Sequence, residues 1–206
     1  MTKFASAGLA AATLAALAAP SAASAAVTIS GAVTAIGLPT DPGLALTGSA
    51  IAFGAFTLAN VGDTFTTNVL RIGTNESSVD LDDFAQSPVS ATFTFSSPLG
   101  AGGTASGSSQ GFYRLVSSCG IAAGGCGQVQ WTNPTIFNFG NGGAFSVRLS
   151  NVEFGTPGSA NVAARFELLA NSVPEPATWG LLILGFGLIG GALRSQRKTR
   201  ARLTYA

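Results

Sequence analysis

Histidine is absent from the 206 residues, which removes the commonest general base and the commonest metal ligand together. Lysine occurs only at Lys3 and Lys198, close to the two ends. Without a histidine or a lysine in the body of the chain, no serine has a partner to activate it as a nucleophile. Cysteine is limited to Cys119 and Cys126, and two thiolates with no histidine cannot complete a zinc site without unusual carboxylate help. Charged residues make up 9% of the chain where about a quarter is usual. Because the apolar share, 47%, is ordinary, this scarcity of charge excludes a disordered acidic or basic tail protein. Residues 26–173 carry eight acidic residues against four arginines, a balance with no electrostatic footprint for nucleic acid. We expect no enzymatic activity and no cofactor.

Glycine is abundant, 27 residues, without the every-third spacing of collagen, which favours a turn-rich β protein. The two ends differ from the middle. Met1 to Ala25 reads as a secretory signal peptide: Lys3 supplies the positive start, a charge-free apolar run extends from Phe4 to Ala19, and Pro20 breaks it. Ala23 and Ala25 then fit the small-x-small requirement of signal peptidase, and cleavage is expected after Ala25.

At the other end, Trp179 to Leu193 is free of charged and strongly polar residues, and Arg194, Arg197, Lys198, Arg200 and Arg202 follow it. Such a run reads as a single transmembrane helix whose basic cluster stops transfer and stays cytoplasmic, giving a type I topology. It is short: fifteen residues rise about 22 Å against a hydrocarbon core of roughly 30 Å, so flanking residues and snorkelling arginines must help it. Gly187 and Gly191 form a small-xxx-small pair that could be a dimer seam or could serve helix flexibility. Just before the run, Pro174 and Pro176 flank Glu175, fix φ and remove two backbone donors, so this stretch is expected to be extended and accessible.

Pro174, Glu175, Pro176 and Trp179, followed by the Gly-Phe-Gly-containing apolar run and the basic cluster, resemble in this order the PEP-CTERM sorting signal of Gram-negative bacteria, in its Pro-Glu-Pro-x-x-Trp-Ala variant. Gly180 stands where that variant has alanine, and Ser195, Gln196, Thr199 and Ala201 interrupt the basic cluster. The resemblance implies processing by an exosortase, a membrane-embedded cysteine transpeptidase, and an association with exopolysaccharide and biofilm. It implies export through the inner membrane to the periplasmic face, the outer surface or the extracellular matrix. The organisation expected is a signal peptide (1–25), an ectodomain (26–173) and a sorting signal (174–202), the last divided into motif (174–179), membrane segment (179–193) and basic cluster (194–202).

Within the ectodomain, period-two alternation dominates. Phe145 to Ser150, Ala91 to Phe95 and Ala160 to Leu168 alternate apolar with polar residues, the signature of half-buried strands. Further strands are expected at Val27 to Thr34, Ile51 to Leu58, Thr64 to Ile72, Gly111 to Val116 and Gln128 to Trp131. Glycine and proline clusters at 38–43, 96–100, 141–143 and 155–158 supply the reversals between them. The fold class expected is all-β, an antiparallel β-sandwich or jelly-roll-like ectodomain. Gly100 to Gln110, almost entirely glycine, alanine, serine and threonine, is expected to be a mobile loop.

Three groups remain. Cys119 and Cys126, separated by six residues of which three are glycine, are most simply a disulfide in an exported protein. Asp80, Asp82 and Asp83, with Glu76 nearby, are the only acidic cluster; oxygen ligands at such spacing could hold calcium, although the EF-hand pattern is absent and a solvated loop is the simpler reading. Asp63, Asp80 or Glu153 could meet as a glycosidase pair, and Trp131, Tyr113 and Phe112 could stack on sugars, although such aromatics are more often core residues. The leading expectation is a non-enzymatic cell-surface or matrix protein with the exosortase and signal peptidase as processing partners. The alternative is a carbohydrate-binding or carbohydrate-active β-sandwich, with calcium as an optional aid.

Overall fold

The computed structural model describes residues 26–113, 124–172 and 176–199, and within the last stretch the side chains of 180–194. The signal peptide with its Ala25 cleavage site, Cys119, Pro174, Glu175, Arg200 and Arg202 lie outside the described residues. Eleven strands and one helix are described: β1 (Val27–Gly37), β2 (Thr47–Ala50), β3 (Phe56–Leu58), β4 (Thr64–Thr74), β5 (Ser87–Ser97), β6 (Gly102–Phe112), β7 (Cys126–Trp131), β8 (Thr135–Phe139), β9 (Gly143–Leu149), β10 (Val152–Gly155), β11 (Gly158–Ala170) and α1 (Pro176–Thr199). All strand pairings are antiparallel. They form a six-stranded sheet in the order β10-β7-β6-β5-β1-β3 and a five-stranded sheet in the order β2-β4-β11-β9-β8.

Alternation explains why these segments become strands that share one core. Along β11, Val162, Ala164, Phe166 and Leu168 are wholly buried while Asn161 and Arg165 face out, as a pleated strand with one dry face requires. Phenylalanines join the two sheets. Phe95 on β5 meets Phe145 of β9 edge-on at a centroid distance of 5.0 Å and Phe137 of β8 at 5.2 Å, and Phe145 stacks with Phe137 at 5.4 Å. These separations lie in the favoured range for aromatic pairs, so the rings add specific geometry to the area they bury. One buried cluster runs through both sheets. The chain crosses from one sheet to the other at most of its connections, β1 to β2 to β3 to β4 to β5 among them, whereas β5, β6 and β7 stay side by side in one sheet; the all-β, two-sheet antiparallel architecture is the expected one.

The structure corrects several expected boundaries. Gly100 to Gln110 is not a loop: Gly102–Phe112 is the strand β6, paired along its length with β5 and β7. Its residues have low strand propensity, but β5 pairs with it over 102–109 and β7 over 107–112, and tertiary pairing overrides propensity. Of Ile51 to Leu58 only Phe56–Leu58 is strand. The short strands β2, β8 and β10 carry alternation too brief to stand out from their glycine-rich surroundings.

The two outer faces differ in chemistry. That of the six-stranded sheet carries hydroxyl pairs between neighbouring strands, Ser30 with Ser96 at 2.8 Å, Thr34 with Thr94 at 3.0 Å and Thr92 with Thr104 at 3.0 Å. Glu153 on the edge strand β10 is the sole charged residue in its strands. The five-stranded sheet carries Arg71, Arg148, Arg165 and Glu167 on β4, β9 and β11.

Candidate functional site

The sorting segment is a helix. Pro176 opens α1, where its fixed φ suits a first helical position and its missing N–H would be unbonded anyway. Leu181, Leu182, Ile183, Leu184, Phe186, Leu188, Ile189 and Leu193 are each more than half exposed, and they occupy every side of the helix. An all-round apolar helix is stable only when covered by lipid or protein. The expectation of a spanning helix is nonetheless not met, since no helix among the described residues is long and apolar enough to cross a membrane. The physical reason is in the run itself, which is short and holds five glycines between Gly180 and Gly191. Gly187 and Gly191 lie one turn apart with open space where side chains would stand. Arg194 follows on the exposed surface of α1, and Arg197 and Lys198 fall within its last turns.

The acidic cluster lies in the β4–β5 connection. The carboxylates of Asp80, Asp82 and Asp83 come within 4.8 Å of one another, so spacing in the sequence did bring them together. Each has a local task. Asp83, buried, accepts the Asp80 N–H at 2.8 Å and presents its backbone carbonyl to Gly111 N–H at 2.7 Å. Asp82 accepts the Gly43 N–H at 2.9 Å. A hydrogen bond between the Asp80 and Asp82 side chains raises the Asp80 pKa above its ordinary value and lowers that of Asp82, the Gly43 N–H adding to the second effect. Glu76 accepts the Ala45 N–H at 2.7 Å; partial burial is the main cause that raises its pKa, with Asp83, Asp80 and Asp41 adding repulsion. The cluster therefore staples its own loop to the 41–45 segment and to β6.

The other candidates do not converge. Asp63 caps the β3–β4 turn by accepting the N–H groups of Ala59 and Asn60 at 2.9 and 2.8 Å, whereas Glu153 lies on β10, the opposite edge of the six-stranded sheet. The Asp63 backbone carbonyl accepts the Leu168 N–H at 3.1 Å near the end of β11, whereas β10 with Glu153 leads into the start of β11, so the two do not meet as a glycosidase pair. Trp131 is 6% exposed and belongs to the core. Tyr113 donates its hydroxyl to the Val79 carbonyl and packs against Phe84 at 5.9 Å. No stacking platform joins Tyr113 to Trp131. Cys126 is wholly buried at the start of β7, and no free cysteine occurs among the described residues. The expected bridge to Cys119 falls outside them.

The sequence reading missed an open cleft of about 470 Å³ formed by β2, β4 and the start of β11, whose one charged lining residue is Arg71. The Arg71 Nε donates to Ser159 Oγ at 2.9 Å. Nothing in the local pattern announced it, because the strands that form it are brought together by pairing across the fold.

These features define a two-sheet β ectodomain followed by an apolar sorting helix with a basic end. Residues 172–198 match the family model of the PEP-CTERM protein-sorting motif, and the chain carries that motif, which marks an exported protein of the exosortase system. No curated protein and no solved structure matches the chain.

Proposed function

We propose that this is a non-enzymatic cell-surface or extracellular-matrix protein, exported with a cleaved N-terminal signal, brought to the inner membrane by the apolar α1 and its basic end, and cut by an exosortase near Pro174 to Pro176. The observation that carries this reading is the coincidence of the sorting-motif match at 172–198 with a helix that is apolar on all sides. Pro174 and Pro176 on either side of Glu175 restrict φ and remove two backbone donors, which suits the motif to recognition by a processing enzyme's cleft. The ectodomain contributes a stable cargo whose outer faces are free to meet other surface components, exopolysaccharide among them. Mass spectrometry of the mature protein tests the processing step. In cells with an active exosortase the chain should end before Trp179; recovery of the intact chain through Ala206 overturns the proposal.

A further inference from the structure

The outer face of the five-stranded sheet gathers every described arginine of the ectodomain. Arg148 on β9 lies directly opposite Arg165 on β11, and Arg71 on β4 lies opposite Asn161 of the same β11. Directly opposed residues of an antiparallel pair project from the same face, and like charges so placed destabilise the sheet. Arg165 meets Glu167 at 3.9 Å with both side chains largely exposed, so that pair is weak. Neither Arg71 nor Arg148 has a carboxylate within ion-pair distance among the described residues. A domain with eight acidic residues and four arginines thus places three arginines together on one face, two in mutual repulsion.

We propose that this face binds an acidic polysaccharide, a linear chain of carboxylate-bearing sugars. The Arg148–Arg165 pair receives one carboxylate, and Arg71, about 13 Å away along the strand direction, receives another. Guanidinium groups pair bidentately with carboxylates, which removes the repulsion and accounts for two arginines standing side by side. Between and beside them lie uncharged hydrogen-bonding groups suited to sugar hydroxyls: Asn161 opposite Arg71, Ser159 bonded to it, and Thr66 opposite Arg165. Charge density also decides the partner. Three cations spread over a net-negative domain suit a sparsely charged polymer, whereas nucleic acid carries a phosphate about every 1.7 Å of duplex and calls for a dense basic patch. The acidic 76–83 loop of a second copy is a poorer fit, because Asp82 and Asp83 already hold backbone N–H groups. The proposal deepens the surface-protein reading by naming what the ectodomain holds.

The test uses the full chain in neutral detergent, with Arg194, Arg197, Lys198, Arg200 and Arg202 changed to Gln so that the basic end makes no contribution. Titration with sodium polygalacturonate should give saturable binding that fades at about 0.5 M salt, where screening is short-ranged; dextran should not bind. Arg148→Gln with Arg165→Gln should weaken binding about tenfold or more, the scale seen when charge pairs are removed from an interface. Glu167→Gln should strengthen it by freeing Arg165, a gain that misfolding cannot mimic. Equal affinity in the arginine variant, equal affinity for duplex DNA, or salt-sensitive self-association without polymer binding would each overturn the proposal. A chain that is processed at its C-terminus yet ignores the polymer would leave the sorting reading intact and remove this one.

Discussion

Glu76 shows how one side chain couples the acidic loop to pH. Its carboxylate holds the Ala45 N–H at 2.7 Å, while burial, first, and the neighbouring aspartates raise its pKa above the ordinary 4.5. A pKa raised by folding means that the fold favours the protonated form. That contribution is fully present below 4.5 and is lost as pH rises through the folded pKa. Glu76→Gln keeps an amide oxygen for the Ala45 N–H but cannot titrate. We therefore expect the melting temperature of the parent chain, relative to E76Q, to increase as pH falls from neutral towards 4.5; a constant or opposite difference would contradict this account. Asp83 acts differently, as a buried acceptor that closes its own turn, and its role was hidden in the sequence because a solvated aspartate and a stapling one look alike until the loop is seen against Gly111.

At the scale of the element, β6 is the informative case. Gly102–Phe112 contains four glycines and three serines, a composition that suggests a linker. Paired with β5 and β7 it becomes a central strand, and its glycines have work there. At Gly107 a Cβ would lie 2.4 Å from the Gln130 carbonyl oxygen and 3.1 Å from the Trp131 Cα, both backbone atoms of β7 that cannot swing aside. Gly107→Ala should therefore destabilise the protein by about 1–3 kcal/mol, the usual cost of overpacking, although the same change in a true linker would be neutral. Chemical denaturation of the variant measures it directly. The acidic loop leans on the same strand, since a Cβ at Gly111 would come within 2.8 Å of Val79 and 2.9 Å of Asp83.

Across the whole molecule, the sandwich is closed by its phenylalanines, and the cysteines belong to its margin. Cys126 is buried where β7 begins, and the neighbouring Gly124 carbonyl accepts the Val79 N–H at 2.7 Å. A bridge from Cys126 to Cys119 would stiffen the connection between β6 and β7, contributing about 2.5 kcal/mol by loop entropy for so short a loop. The fold itself rests on aromatic contacts distant in sequence, such as Phe95 with Phe145 and Phe166. A Cys119→Ser, Cys126→Ser chain should keep its β-rich circular dichroism and melt at a lower temperature. Thiol labelling of the exported, non-reduced protein should find no free thiol; two would refute the bridge.

Some properties of this protein are local and were legible in the chain alone. The sorting motif is one, because a processing enzyme reads a short peptide and a helix in linear order, and residues 172–198 carry both. The main strands are another, because burial on one face imposes a period of two wherever Phe, Val and Leu alternate with polar residues. Tertiary structure decided what depends on register. It made a strand of β6, sent Trp131 into the core, left Asp63 beside Leu168 and away from Glu153 on β10, and set Arg148 opposite Arg165. Residues far apart along the chain meet only through ladders whose alignment is fixed by the shared core, and a one-residue slip would turn each of those side chains to the other face.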